Sequence, residues 1–264
     1  MKSSSFFLFA AFAAAVLPCF AQVVPFSTGA AMGHLHLNVH DVDAQKQFWV
    51  KQMGATPVLL ANIEVMKIPG VLVFLKKTEP TGGSVESTVP HVGFKVRDLK
   101  SYRKTMLDAG FSVEDNVNGV QAFVIGPDKL KIELSEDKAL TMPVVFHHIH
   151  FYTKNVEETK AWYIKTFNAI GGKRGKFEAA DLPGVNLTFS LAEAPGTDLP
   201  TKGRSLDHVG FEVKGLEAFC KKLEADGVKF NVAYRTVPAL GISVAFFTDP
   251  FGTYVELTEG LDKI

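Results

Sequence analysis

Four short runs of the chain alternate apolar and polar residues, and each opens on a histidine. They are His34-Leu35-His36-Leu37-Asn38-Val39, His91-Val92-Gly93-Phe94-Lys95-Val96, His148-Ile149-His150-Phe151-Tyr152-Thr153 and His208-Val209-Gly210-Phe211-Glu212-Val213. Such alternation predicts half-buried strands. Past each run stands Asp41, Asp98, Asn155 or Gly215, and a helix-like stretch follows. The recurrence makes the chain a fourfold internal repeat, so the fold is read from its unit.

The second unit shows the pattern most plainly. After the strand, Asp98 can cap a helix from Leu99 to Ala109, and Gly110 ends it. Apolar runs at 111–113, 121–125 and 130–134 then predict three strands, with a turn at Gly126-Pro127-Asp128 before the last. The fourth unit repeats this with a helix from Leu216 to Ala225, strands near 228–233, 242–247 and 254–257, and the turn Asp249-Pro250-Phe251-Gly252. Helices are expected near Asp43–Met53 in the first unit and Val156–Phe167 in the third. The units run over 33–80, 90–137, 146–192 and 205–262. Linkers rich in Pro, Gly, Ser and Thr, Glu79–Pro90 and Glu193–Ser205, join units one to two and three to four. The short link Asp137–Pro143 joins the halves. This predicts two domains, 30–137 and 144–262, each made of two consecutive units.

Composition narrows the class. Lys plus Arg number 28 and Asp plus Glu 28, so no basic footprint for nucleic acid exists. Met1-Lys2, the apolar run Phe6–Leu17 and Ala21 before Gln22 read as a secretory signal peptide, residues 1–21. The run is too short for a stable membrane span, and the mature chain is expected to be exported, periplasmic or secreted. Cys220 is then the one mature cysteine, which excludes an internal disulfide; it reads as a small buried hydrophobe on a helix. Phe48-Trp49 and Trp162-Tyr163 read as core anchors, and Lys173-Arg174-Gly175-Lys176 as a solvated loop.

The β-α-β-β-β unit, its leading histidine, the Asp249-Pro250-Phe251-Gly252 turn and the Glu256 just after it resemble the vicinal oxygen chelate superfamily. That superfamily includes glyoxalase I, bleomycin-binding proteins, fosfomycin-resistance proteins and extradiol ring-cleaving dioxygenases. The resemblance covers essentially all of the mature chain. It implies an α+β fold in which paired units form cup-like, partly closed mixed-sheet barrels with helices outside. It also implies a metal at the centre of each cup, held from the first strands of both units and from last strands.

Strand alternation says which side chains can reach such a centre. Leu35, Leu37 and Val39 should face the helices, which sends His34, His36 and Asn38 into the cup. The same logic sends His148, His150, Tyr152, His91 and His208 inward, with Glu133 and Glu256 on the last strands. Each expected domain then offers two imidazoles and a carboxylate: His34, His91 and Glu133 in one, and His148, His208 and Glu256 in the other. Such sets suit Mn(II), Zn(II) or Fe(II) with positions left for water and substrate.

Glyoxalase I and its relatives use a fourth ligand, a carboxylate on the last strand of the leading unit. Val71–Phe74 and Val185–Phe189, the equivalent stretches, hold none. Extradiol enzymes carry a further His and Tyr before the last Glu; here no His follows His208, and Phe246 stands about where that Tyr would be. His150 and Tyr254 are the candidate proton-transfer groups, and His36 is the counterpart of His150. The expected function is a metal-dependent enzyme that binds a small substrate through vicinal oxygens, by isomerase, lyase or dioxygenase chemistry. The alternative is a non-catalytic small-molecule binder resembling the bleomycin-resistance proteins, to which the His-His-Glu sets would be of no use.

Overall fold

The computed structural model describes residues 26, 29–116, 118–194 and 196–264; the expected signal segment lies outside them. Four β-α-β-β-β units follow one another. The first has β1 (Ala30–Val39), α1 (Val42–Gln47), β2 (Thr56–Leu60), β3 (Ile63–Ile68) and β4 (Val71–Lys77). The second has β5 (His91–Val96), α2 (Leu99–Asp108), β6 (Ser112–Asp115), β7 (Gln121–Ile125) and β8 (Lys131–Glu136). The third has β9 (Val144–Thr153), α3 (Val156–Phe167), β10 (Ile170–Arg174), β11 (Phe177–Leu182) and β12 (Val185–Leu191). The fourth has β13 (Leu206–Val213), α4 (Leu216–Ala225), β14 (Phe230–Val237), β15 (Ile242–Thr248) and β16 (Tyr254–Glu259). No described helix is long and apolar enough to cross a membrane.

The side chain just before α1, α2 and α3 caps each of those helices. Asp41 accepts from the Asp43 and Ala44 amides, Asp98 from the Ser101 amide and Asn155 from the Glu158 amide. Gly215 has no side chain to offer, and the start of α4 is bound instead by the remote Glu259, which accepts from the Gly215 and Leu216 amides. The first helix differs from expectation. It is α-helical only to Gln47 and continues as a π-helical turn, Phe48–Gln52, in which the consecutive residues Phe48 and Trp49 are both buried.

The strands form two open eight-stranded mixed sheets. One runs β14-β15-β16-β13-β1-β4-β3-β2, the other β10-β11-β12-β9-β5-β8-β7-β6. The pairing of consecutive units expected above, 30–137 and 144–262, is therefore corrected. Units one and four build the first cup, and units two and three the second. The linkers give the physical reason. The short link 137–143 turns the chain straight back, so that β9 lies antiparallel to β5, closed by Arg97 N–Pro143 O at 3.0 Å. The two longer linkers cross between the sheets side by side, bound by Thr88 N–Leu199 O (2.8 Å), Leu199 N–Glu86 O (3.0 Å) and Thr81 N–Gly203 O (2.8 Å).

One core joins both sheets. It holds Leu35, Leu37, Trp49, Phe94, Phe151, Tyr163 and Phe211, with Cys220 also buried as expected. Trp49 meets Phe94 across the units, and the buried Tyr163 hydroxyl donates to Asp249 at 2.8 Å, tying α3 to the turn before β16. Trp162 is only partly buried, so three of the four expected aromatic anchors lie fully in the core. A smaller apolar cluster, including Leu60, Leu72, Ile242 and Leu261, belongs to the first cup.

Candidate metal centres

Each cup sets a His-x-His strand against a His-x-Gly strand. In the first, His34 pairs with Gly210 and His36 with His208; in the second, His148 pairs with Gly93 and His150 with His91. The glutamate strand lies beyond the glycine, with Gly210 beside Glu256 and Gly93 beside Glu133. Each row therefore reads His–Gly–Glu across three strands. The histidine ring must pass over the middle residue to reach the carboxylate. A Cβ at residue 210 would stand 2.0 Å from the His34 ring, and one at residue 93 would stand 1.8 Å from the His148 ring. Glycine is what lets imidazole and carboxylate meet.

The six expected ligands all converge, in groups different from those read off the sequence. His34 and His208 bring their Nε2 atoms to 2.8 and 2.9 Å from a single oxygen, Oε2 of Glu256. His91 and His148 bring theirs to 3.2 and 3.4 Å from Oε2 of Glu133. The expected sets His34–His91–Glu133 and His148–His208–Glu256 are corrected accordingly. Antiparallel pairing of β1 with β13 and of β5 with β9 exchanges the histidines.

The two cups differ in charge. In the first, His208 Nδ1 is bound to Asp207 at 2.7 Å, and Asp207 in turn accepts from the Asn38 side chain and the Gly203 amide. Burial opposes a charge on His208, but the Asp207 and Glu256 carboxylates outweigh it and raise its pKa. Burial likewise opposes the Glu256 charge; the two imidazoles overcome it and hold the carboxyl below its usual range. Asp207 is held at about 2, its burial overcome chiefly by His208. No sequence rule aimed Asp207 inward, because alternation sends the neighbour of His208 to the other face. The strand register slips there, with His36 opposite His208 and Leu37 opposite Leu206, so residue 207 is bulged out of the ladder.

In the second cup the other oxygen of Glu133 is occupied. Its Oε1 accepts from Arg174 at 2.7 Å, Ser135 at 2.8 Å and Gln121 at 2.9 Å. Burial opposes the Glu133 charge, and the His148 and His91 imidazoles, with the Arg174 charge, hold its pKa low nonetheless. The basic stretch at 173–176 is thus not only a solvated loop: Arg174 points into the cup. Burial lowers His91, and lowers His148 to about 3.

The proposed proton-transfer groups lie in different cups. His150 lines the second, where its Nε2 is bound to Ser190 Oγ at 2.8 Å. Burial, with the His91 and His148 charges, lowers it to about 2. Tyr254 belongs to the first, with its ring 5.5 Å from that of His208 and the Lys202 ammonium over its face. Burial raises its pKa. His36 also lies in the first cup, its ring stacked 4.5 Å from that of His208 and lowered to about 3, chiefly by burial. Phe74 pairs with His36 across β1 and β4, and Thr188 with His150 across β9 and β12. Neither last strand of a leading unit offers the fourth carboxylate, as expected.

These residues suit a divalent cation. His34, His208 and Glu256 form one buried group whose ligand atoms lie within 4.8 Å of one another, and His91, His148 and His150 form another. Among the described residues, four buried ring nitrogens, His34 Nδ1, His91 Nε2, His148 Nε2 and His150 Nδ1, make no well-formed hydrogen bond. Asp207 behind His208 is the carboxylate–histidine arrangement that fixes a ligating tautomer.

Comparison with known proteins agrees with this fold. Residues 145–257 match the family model of the Glyoxalase/Bleomycin resistance protein/Dioxygenase superfamily. Glyoxalase I from Zea mays superposes with a TM-score of 0.67 at 16% identity, covering 88% of this chain and 93% of that one. A point mutant of that Zea mays enzyme gives 0.66 at 14% identity, covering 88% and 94%. A Bacillus subtilis subsp. subtilis str. 168 protein, whose assignment as a dioxygenase is provisional, gives 0.62 at 12% identity, covering 89% and 86%. No curated protein matches the sequence. The resemblance to the vicinal oxygen chelate superfamily is thereby shown, by the family match over 145–257 and by the glyoxalase-type fold over most of the chain.

Proposed function

We propose that the chain is an exported metal-dependent enzyme whose principal centre is the first cup. The observation that carries this reading is the convergence of His34 Nε2 and His208 Nε2 on one buried oxygen of Glu256, with Asp207 behind His208. Two imidazoles and a carboxylate would hold Mn(II), Zn(II) or Fe(II) and leave positions for a substrate. The ion, when bound, supplies Lewis-acid polarisation of two adjacent substrate oxygens.

This chain's own residues define the rest. The cup encloses a cavity of about 230 Å³ whose walls include Phe74, Phe246, Val244 and Leu240, so the substrate body is small and apolar. Arg235 also lines the cavity and would bind an anionic end of the substrate. His36 lines it too, its ring stacked on that of His208, and would hydrogen-bond a substrate oxygen placed beside His34. Tyr254 packs against the His208 ring and would position it rather than touch substrate. The absence of a carboxylate on β4 disfavours glyoxalase-type isomerisation, and Phe246, about where an extradiol tyrosine would be, disfavours ring cleavage, which leaves lyase chemistry on an α-oxygenated compound as the preferred reading.

The test is to strip the mature chain of metal, restore Mn(II), Zn(II) or Fe(II) singly, and assay turnover of small 1,2-dicarbonyl and α-hydroxycarbonyl compounds. Metal-dependent turnover that Glu256→Gln abolishes and Glu133→Gln leaves in place supports the reading. Turnover unaffected by Glu256→Gln contradicts it.

A further inference from the structure

The second cup departs from the first in a way that the repeat alone does not explain. One oxygen of its carboxylate is already bound to a cation, and the other faces His91 and His148. Arg174, Ser135 and Gln121 all donate to Oε1 of Glu133, so a positive charge and two neutral donors meet the one negative charge there. Glu256 in the first cup has no Arg or Lys within ion-pair distance among the described residues, and Asp207 adds a second negative charge behind His208. The cations continue along the second cavity, about 310 Å³, whose lining includes Lys131 and Lys176 beside Arg174.

The second cup has instead a surplus of imidazole. Among the described residues, three of the four buried ring nitrogens without a well-formed hydrogen bond lie there: His150 Nδ1, and His91 Nε2 and His148 Nε2, which stand 3.2 and 3.4 Å from Glu133 Oε2. Their residues are 5, 1 and 4% exposed, and each offers a ligand atom within 4.8 Å of the others. Ser190 binds the opposite nitrogen of His150, Nε2, at 2.8 Å, which fixes the ring and leaves Nδ1 directed away from that bond. His36, the counterpart of His150 in the first cup, does not join the group formed there by His34, His208 and Glu256.

We infer that the second cup is a three-imidazole metal site, with His91, His148 and His150 as its required ligands and Glu133 as a dispensable outer partner. A neutral three-histidine set suits Zn(II) or Cu(II), and three protein nitrogens leave a position open for an exogenous ligand. The first cup, with its carboxylate ligand and the Asp207 charge behind it, suits the harder Mn(II) or Fe(II). One chain would thus carry two unlike centres. The inference rests on the metal reading above only in taking these clusters as metal sites, and it stands or falls on the second cup alone.

Cu(II) is the probe, because the hyperfine structure in its electron paramagnetic resonance spectrum counts bound nitrogens. In a His208→Ala background, which disables the first cup, the full chain should bind one Cu(II) with coupling to three nitrogens. Adding His150→Gln should reduce the count to two and weaken binding by more than the roughly 10–100-fold typical of a lost outer partner. His150→Asn serves as a second variant, with the thermal midpoint as the folding control. Adding Glu133→Gln instead should keep three nitrogens and weaken binding by no more than about 100-fold. Two nitrogens before any change at His150, a count unaffected by His150→Gln, loss of binding with Glu133→Gln, or no Cu(II) bound would each overturn the inference. The His91→Ala chain, which keeps only the first cup, reports separately on the reading in the preceding section.

Discussion

Gly210 lies opposite His34, and the His34 ring occupies the space that a Cβ on residue 210 would need: the two would be 2.0 Å apart. Gly93 stands in the same relation to His148, at 1.8 Å. Gly210→Ala should therefore displace His34 and remove metal from the first cup only, and Gly93→Ala should do the same to the second. Forcing a methyl into so close a space costs about 1–3 kcal/mol of stability. Metal content per chain and the unfolding midpoint check both. Alanine at 210 with full metal content would show that the ring is not where the structure places it.

Asp207→Asn keeps the size of the side chain and removes its charge and its hold on the His208 tautomer. Outer-shell changes of this kind cost about 10–100-fold in metal affinity. The first cup should weaken by that amount while the second, which has Pro90 before His91, stays as it was. Competition titration with a metallochromic chelator distinguishes the two.

The inward faces of β1, β5 and β9, and of Glu133 and Glu256 on β8 and β16, were legible in the sequence, because alternation depends only on the residues within one strand. So were the helix cap at Asp98 and helices α3 and α4 to the residue. The pairing of units was not. A His-x-His strand meets a His-x-Gly strand whether unit one pairs with unit two or with unit four, so local pattern leaves the two arrangements degenerate. The choice lies in the linkers, and above all in the short link that sends β9 back along β5. Asp207 and Arg174 escaped notice for different reasons. Asp207 depends on a bulge that alternation cannot foresee, and Arg174 on the reach of a long side chain from β10 to a carboxylate on a strand of another unit.

Glu212 gives a pH dependence that does not involve the candidate ligands. It is buried on β13 and accepts from Thr258, Gly260 and Leu261. Burial raises its pKa above the ordinary value of 4.5, against those hydrogen bonds. The fold thus favours the neutral acid, and this contribution is complete below that ordinary value and lost as pH rises through the raised one. Glu212→Gln imitates the neutral form and can keep the same contacts. Its melting temperature should gain on the parent from pH 5 towards pH 8, by roughly 2–4 °C per kcal/mol for a chain of this size. A constant difference across that range would show that Glu212 is not the titrating group.

The reading of Met1–Ala21 as a signal peptide leads to a mature N-terminus near Gln22. N-terminal sequencing of protein recovered from the cell envelope or medium tests it. An intact Met1 in that fraction would show that the segment is not removed.

In the proposed centre His34 and His208, 174 positions apart in the sequence, hold one ion together with Glu256, and His91 belongs to a separate site. Metal content per chain after equilibrium dialysis against Mn(II) or Zn(II) tests it most directly. His34→Ala and His208→Ala should each remove the same equivalent of metal, and the double variant should remove no more than either alone. His34→Ala combined with His91→Ala should lose the metal of both cups. Unchanged metal in the His34→Ala, His208→Ala double variant, or one shared loss for His34→Ala and His91→Ala, would rule this centre out.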